Sequence, residues 1–438
     1  MRVLCEKRTL DNGLDVIVHE DQNCPIVAVN LWYHVGSKNE RPGLTGFAHL
    51  FEHLMFEGSA HHNSGYFQPL QEAGGALNGS TNADRTNYWQ TVPTSAIDRA
   101  LWMESDRMGY LLPALTREKF DTQRQVVLNE RRQNYENRPY GLAPMVVMAT
   151  LYPPEHPYHW MTIGAPEDLR AASLDAVRLF FETYYHPGNA SLTLAGAIAP
   201  DRAFELAQRY FKEIPNGPTP PPVTWPDVPA AHVERRLLLE DQVELPRLYL
   251  AWPAPALFAP GDAELDVLGE ILAAGKSSRL YRQLVHDRRI AVDVGASQAS
   301  REHSGVFSVV ATAAPGHSLS ELEAVVADEL ARMAADGPSD DEVERARTTV
   351  EADFVYRLQT VGGFGGKADQ LNAYNVFKGN PDYFDADLTR YTTLDAERIR
   401  AAAATYLRVT ERVALGVVPR GQAAPLALAG ATPVKEVS

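Results

Sequence analysis

The residues that most clearly indicate a chemical role by their type and spacing are His49, Glu52 and His53, which stand in the order His-x-x-Glu-His. At 3.6 residues per turn, these three side chains fall on one side of an α-helix. Two histidines four residues apart can direct ring nitrogens at one metal ion, and Glu52 beside them can act on a water molecule as a general base. The alternative is a pair of histidines on a solvated helix face, so a third ligand decides between the two interpretations.

The candidate for the third ligand is Glu130. Residues 116–137 are predicted to form one helix, on which Phe120, Val126 and Val127 mark the apolar side. Glu130 lies three and four residues beyond the two valines, so we expect it on that side, where a lone carboxylate is costly unless it is paired or bound to metal. Two histidines and one glutamate leave a fourth tetrahedral position for water, as catalytic zinc requires. The alternative is that Glu130 is a half-exposed helix residue.

The two histidines need a helix near residues 46–57 to hold them. Thr45 is suited to cap its start and Gly58 to end it. Apolar residues recur at i, i+3, i+4, i+7 and i+8 and predict one buried face opposite the histidines. The members of this face are Phe47, Leu50, Phe51, Leu54 and Met55.

The order of predicted elements indicates an α+β fold built by internal duplication. Strands and helices alternate in blocks through residues 8–214, and a similar order recurs from residue 233. A proline-rich segment between the halves is typical of a semi-rigid spacer. We therefore predict an N-terminal zinc-binding catalytic domain (1–214), a linker (215–232), a homologous C-terminal domain without a metal site (233–420) and a flexible tail (421–438), with mixed or antiparallel sheets flanked by helices.

Composition excludes several classes of protein. The chain has 41 basic and 56 acidic residues and a formal charge of −15, whereas nucleic-acid binding needs a basic surface. No apolar stretch is long enough to span a bilayer, and the charged N-terminus predicts no signal peptide. Cys5 and Cys24 are the two cysteines in the sequence, too few for a cysteine-rich zinc site. We expect a cytoplasmic protein, or a periplasmic one if a leader has been removed, without nucleic-acid or membrane partners.

Several motifs together resemble the insulinase-like (pitrilysin) zinc peptidase family, in particular its short bacterial and mitochondrial-processing-peptidase-like branch. Besides His-x-x-Glu-His, the spacing agrees, because 76 residues (54–129) separate His53 from Glu130, as in that family. The resemblance extends to about residue 420. Further similar segments are residues 12–14, 36–37, 74–81, 84–88, 185–190 and 278–281.

The resemblance implies roles for individual residues. It implies that His49, His53 and Glu130 bind zinc (Zn2+) and that Glu52 is the catalytic base. It also implies that an edge strand pairs with extended substrate, here through Ala76, Leu77, Asn78 and Gly79. The family often has a second glutamate seven residues before the third ligand. This chain has Gln123 there, which can support the site by a hydrogen bond but supplies no charge.

The second half departs from the family pattern. Active members usually place an arginine and, seven residues later, a tyrosine that resemble an oxyanion and substrate clamp, whereas this chain has Val285 and Val292. We therefore expect a heterodimer with a paralogous subunit that carries the arginine and tyrosine. The alternative is that Tyr281 or Arg288 substitutes locally.

The functional hypothesis is a zinc metalloendopeptidase that hydrolyses peptides or small unfolded polypeptides inside a two-chain chamber. The alternative hypotheses are a non-catalytic structural or assembly subunit and a peptide-binding subunit. Scaffold members of the family tend to lose the metal ligands. The three ligands and Glu52 in this chain favour the enzyme.

Overall fold

The computed structural model describes residues 3–225 and 233–434; Met1, Arg2, the second part of the predicted linker (226–232) and the last four residues of the predicted tail (435–438) lie outside the described residues. Within residues 3–225, six strands form one sheet in the order β1-β2-β6-β3-β5-β4. Strands β2 and β6 are parallel, and the other neighbours are antiparallel. The strands are Glu6–Thr9 (β1), Asp15–Glu20 (β2), Ile26–Tyr33 (β3), Ala76–Thr81 (β4), Thr86–Pro93 (β5) and Ala190–Gly196 (β6).

A second six-stranded sheet lies within residues 233–434, in the order β12-β7-β11-β8-β10-β9. Its strands are Arg235–Asp241 (β7), Arg247–Ala254 (β8), Ala291–Ala299 (β9), Gly305–Ala313 (β10), Val413–Pro419 (β11) and Thr432–Pro433 (β12). Strands β7 and β11 are parallel, as β2 and β6 are, and β8, β10 and β9 follow in the antiparallel order of β3, β5 and β4. Five strands of each sheet therefore repeat one topology, and the predicted duplicated α+β fold is confirmed. The sixth strand differs, because β12 is parallel to β7 whereas β1 is antiparallel to β2.

Helices flank both sheets, and none of the described helices is long and apolar enough to cross a membrane. In chain order they are Phe47–Leu54 (α1), Phe67–Glu72 (α2), Ile97–Ala114 (α3), Arg117–Arg131 (α4), Ala143–Leu151 (α5), Pro166–Ala171 (α6), Leu174–Tyr184 (α7), Pro200–Phe211 (α8), Asp262–Ala273 (α9), Leu319–Asp336 (α10), Asp340–Arg357 (α11), Lys367–Lys378 (α12), Phe384–Thr392 (α13), Ala396–Tyr406 (α14) and Ala423–Leu426 (α15).

The chain forms two compact units whose segments alternate along the sequence. Among the described residues, one unit comprises 3–129, 160–225 and 354–386, and the other comprises 130–159, 233–353 and 387–434. Helix α5 comes from the first half of the sequence but packs on β8 and β11 in the second unit. Helix α12 comes from the second half and packs on β3 and β6 in the first unit.

The boundaries of these units differ from those of the predicted domains, which are continuous in the sequence. The division into residues 1–214 and 233–420 stays a prediction. In the described part of the tail, α15 is followed by β12, which pairs in parallel with β7 through Thr432 and Pro433.

The polar face of α12 explains its docking on the first sheet. The side-chain oxygen of Asn372 accepts hydrogen bonds from the hydroxyls of Ser191 (2.8 Å) and Thr193 (2.9 Å). The side chain of Asp369 accepts a hydrogen bond from Trp32 Nε1 at 2.8 Å. Because buried polar groups are costly unless they are hydrogen-bonded, these matched pairs fix the position of α12 on the sheet.

Candidate metal centre

Helix α1 is anchored by its apolar face. The predicted residues Phe47, Leu50, Phe51, Leu54 and Met55 are all 0–2% exposed, which confirms the predicted face. The Phe51 ring stacks on aromatic rings at the C-terminal end of α7, with centroid distances of 5.6 Å to Phe181 and 5.0 Å to Tyr185. Aromatic pairs of this kind add to the free energy of burial, so the face that carries His49 and His53 is held by a rigid cluster on the opposite side.

The start of α1 is capped by Glu40 and not by Thr45, so the predicted cap was wrong. The Glu40 carboxylate accepts hydrogen bonds from the N–H groups of Gly46 (2.9 Å) and Ala48 (2.8 Å). Thr45 instead donates through its hydroxyl to Asp168 Oδ2 at 2.6 Å. Burial raises the pKa of Glu40 to about 8, although the N–H groups of the helix start oppose that shift. The end of α1 also differs, because the helix stops at Leu54, before the predicted Gly58.

The structure brings His49, His53 and Glu130 together. One possible ligand atom from each residue lies within 4.8 Å of the others, and all three residues are half-buried. The two imidazole rings of α1 are 4.8 Å apart, centroid to centroid. Among the described residues, this is the one group of three or more His, Cys, Asp or Glu side chains that could hold a metal ion. Two imidazole nitrogens and one carboxylate oxygen form a donor set that fits zinc and leaves a coordination position open.

Glu130 is held near the C-terminal end of α4, a helix that begins in the first unit. The apolar side of α4 differs from the prediction in one residue, since Val127 is fully buried but Val126 is 40% exposed. Gln123 and Glu130 are seven residues apart, which is about two helical turns, so both lie on the same face of α4. Asn134 Nδ2 donates a hydrogen bond to Glu130 Oε1 at 3.3 Å, which restrains the carboxylate.

Gln123 lies beside one of the candidate ligands. Its Oε1 is 3.3 Å from His53 Nδ1, and its Nε2 donates to Glu57 Oε1 at 2.7 Å. The sequence predicted a hydrogen-bonding role for Gln123 but did not identify Glu57. The spacing contained a signal, because Glu57 follows His53 by four residues and can lie on the same side of a helical turn.

The predicted substrate strand is β4, the edge of the first sheet. Residues Ala76, Leu77, Asn78 and Gly79 pair with β5 on one side, and β4 ends the strand order on the other. Helix α1 packs beside β4, so His49, His53 and the open edge belong to one unit. A Cβ atom added at Gly79 would lie 3.0 Å from the Phe56 ring, which explains the glycine there.

Val285 and Val292, at the positions where active family members usually have the arginine and tyrosine, lie in the second unit. Val285 lies in a wide helical turn, Tyr281–Asp287, and Val292 is the second residue of β9 and 46% exposed. Of the residues suggested as local substitutes, Tyr281 is half-buried and Arg288 is exposed. Both valine side chains lack the polar atoms that binding an oxyanion requires.

Two family models match the chain. The model described as "Insulinase (Peptidase family M16)" matches residues 15–156, and the model described as "Peptidase M16 inactive domain" matches residues 171–350. The chain therefore belongs to the M16 family of peptidases, and the predicted family resemblance is confirmed. His49, Glu52, His53 and Glu130 all fall within the first match, and the second match contains none of these four residues.

Individual relatives agree with this assignment. "Zinc protease PqqE" from Helicobacter pylori is 29% identical over 382 residues, which cover 86% of this chain and 85% of that protein. A crystal structure of a protease from Helicobacter pylori superposes with a TM-score of 0.88 at 26% identity, covering 96% of this chain and all of the other. The periplasmic protease PqqL from Escherichia coli has a similar fold, with a TM-score of 0.78 at 17% identity, but the match covers 97% of this chain and only 49% of that one.

Proposed function

We propose that this chain is a zinc-dependent endopeptidase that hydrolyses peptides or small unfolded polypeptides. The observation that carries the proposal is the convergence of His49, His53 and Glu130, with ligand atoms within 4.8 Å of one another. The donor set suits zinc, and relatives named as zinc proteases support that choice over other divalent ions.

The roles of the side chains follow from their positions. Zinc bound by these three residues would polarise a water molecule and the substrate carbonyl. Glu52 stands one residue before His53 and three after His49, on the same side of α1. In the proposed reaction Glu52 accepts the proton of the attacking water and donates it to the leaving amine.

The proposed substrate strand predicts a loose sequence preference. An extended peptide would add to the open edge of β4 along Ala76, Leu77, Asn78 and Gly79, through main-chain hydrogen bonds. Such bonds involve backbone groups that every peptide has. An unfolded segment can bind in this way because its backbone N–H and C=O groups are not already paired within a fold.

We also propose that the active assembly is a heterodimer with a paralogous subunit. Val285 and Val292 leave the second unit without an arginine and tyrosine clamp, so a second chain must supply those groups. This chain matches about half of the PqqL chain. The PqqL chain is thus about as long as two chains of the present length, which supports the pairing of two such chains.

A non-catalytic peptide-binding or assembly subunit is the second candidate. The same two valines favour it, and so does the match of residues 171–350 to a domain described as inactive. The retention of Glu52 beside three possible ligands favours the enzyme, because neither binding nor assembly requires a general base.

The test measures zinc content and peptide cleavage for the pure chain, with and without its paralogue. We expect about one zinc per chain, lost on His49→Ala, His53→Ala or Glu130→Ala, and efficient cleavage only when the paralogue is present. Zinc without cleavage in any pairing would support the binding subunit. Strong cleavage by the pure chain would refute the shared clamp, and absence of zinc would refute the metal site.

A further inference from the structure

Three hydrogen bonds link the end of α1 to α4. His53 Nδ1 lies 3.3 Å from Gln123 Oε1, and Gln123 Nε2 donates to Glu57 Oε1 at 2.7 Å. Lys119, one turn before Gln123 on α4, donates through Nζ to the carbonyl oxygen of Glu57 at 2.7 Å. His53, Glu57 and Gln123 are half-buried and belong to the same unit.

The directions of these hydrogen bonds are determined by chemistry. An ionised carboxylate can only accept, so the Glu57 side chain must face the amide NH2 of Gln123. The amide oxygen therefore faces His53. That oxygen can only accept, so the proton of a neutral His53 ring must be on Nδ1. The lone pair of the ring is then on Nε2, the nitrogen that would bind a metal ion.

We propose that Glu57 and Gln123 are positioning residues that hold His53 as the Nδ1–H tautomer before any metal binds. This inference rests on the proposed metal site. It adds that the negative charge acting on His53 through Gln123 comes from the Glu57 carboxylate. Gln123 transmits the orientation, and Glu57 provides the carboxylate one group farther from the ring. Partners of this kind orient ligating histidines and raise their basicity.

The position of the charge distinguishes this chain from a site with a carboxylate directly on the ring. A neutral amide separates the Glu57 carboxylate from His53, so the charge acts over a longer distance and affects the ring less. The double substitution Glu57→Gln with Gln123→Glu exchanges the two groups. It can retain both hydrogen bonds while it moves the charge next to the ring, so geometry and charge can be tested separately.

The first experiment uses the full-length chain without metal. Nitrogen-15 NMR of the histidine rings should show His53 as the Nδ1–H tautomer in the wild type, and Gln123→Leu should abolish that preference. The control is Gln125→Leu, an exposed glutamine on the same helix, which should leave the tautomer unchanged. Circular dichroism checks that each variant folds. A wild-type His53 with its proton on Nε2 would overturn the proposal.

The second experiment measures zinc affinity by competition with a chelator. Gln123→Leu should weaken binding about 10–100-fold, the usual effect of losing such a partner. Glu57→Gln keeps an acceptor for the amide, so it should preserve the tautomer and weaken zinc binding less. The exchanged double variant should bind at least as tightly as the wild type. Its control is Glu118→Gln, an exposed carboxylate on α4.

The outcomes separate this inference from the proposed function. Equal zinc affinity for Gln123→Leu and Gln125→Leu would overturn the positioning role while leaving the zinc site intact. A wild type that binds no zinc would refute the proposed function, and the tautomer in the metal-free protein would still decide whether Gln123 orients His53. If Gln123→Leu fails to fold, the zinc affinity of Glu57→Gln is compared with that of Glu118→Gln, and equal affinity in these two variants would overturn the role of Glu57.

Discussion

The close approach of Gly164 to the start of α1 predicts that Gly164→Ala perturbs the metal site without touching any ligand. Gly164 has φ +72°, and a Cβ atom there would lie 2.4 Å from the Cα atom of Gly46 and 2.6 Å from the carbonyl carbon of Thr45. The matched control is Gly43→Ala, because Gly43 has φ +85° and nothing within 4 Å of an added Cβ. Both variants carry the cost of a left-handed alanine, about 1–2 kcal/mol.

The difference between the two variants isolates the steric term. Only Gly164→Ala must displace backbone, which adds about 1–3 kcal/mol of overpacking to the loss of unfolding free energy. Because the displaced backbone begins the helix that carries His49 and His53, zinc affinity should also fall in Gly164→Ala and stay near wild type in Gly43→Ala. Urea denaturation and zinc competition measure the two quantities. Equal stability and equal affinity in the two variants would refute the reasoning.

Three further predictions concern the reaction, the substrate strand and pH. Glu52→Gln preserves side-chain size and all three candidate ligands, so zinc content should be unchanged while kcat of the assembled enzyme falls about 10²–10⁴-fold; a variant above a tenth of wild-type activity would contradict the role as base. Gly79→Ala places a Cβ 3.0 Å from the Phe56 ring, so displacement of β4 should raise KM more than it lowers kcat in peptide assays. Burial raises the pKa of Asp266 to about 7. The folded protein therefore holds that proton more tightly than the unfolded chain, and the stability this contributes is lost as pH rises from about 4 through 7. Urea denaturation at pH 5 and pH 8 should show that loss in wild type and less of it in Asp266→Asn, whereas the exposed control Asp328→Asn should behave like wild type.

Local periodicity predicted the elements that bury one continuous face. The i, i+3, i+4 pattern of α1 placed five apolar residues in the core and turned His49, Glu52 and His53 the other way. The recurrence of a similar order of predicted strands and helices in both halves predicted the duplicated fold. These features depend on the geometry of one helix or strand, which residue spacing specifies directly.

The same reasoning failed where a helix is buried on most of its sides or where the buried residues are polar. Helix α5 has buried residues on most of its sides, so it shows no amphipathic period to detect. Helix α12 buries Asn372 and Asn375, which look like surface residues in the sequence. The assignment of Val126 to the apolar side of α4 also failed, because a residue one position from a buried valine turns about 100° away and here meets solvent.

By itself, the sequence determined which residues could form a metal site, the helices that carry them and the family to which the chain belongs. Tertiary structure alone decided how those helices are held. Glu40 caps α1 from a loop, Gly164 meets Gly46 across more than a hundred residues, and Gln123 joins His53 to Glu57. The physical reason is that periodicity specifies the direction of a side chain on its own element, whereas hydrogen-bond partners and backbone contacts depend on where distant segments fold.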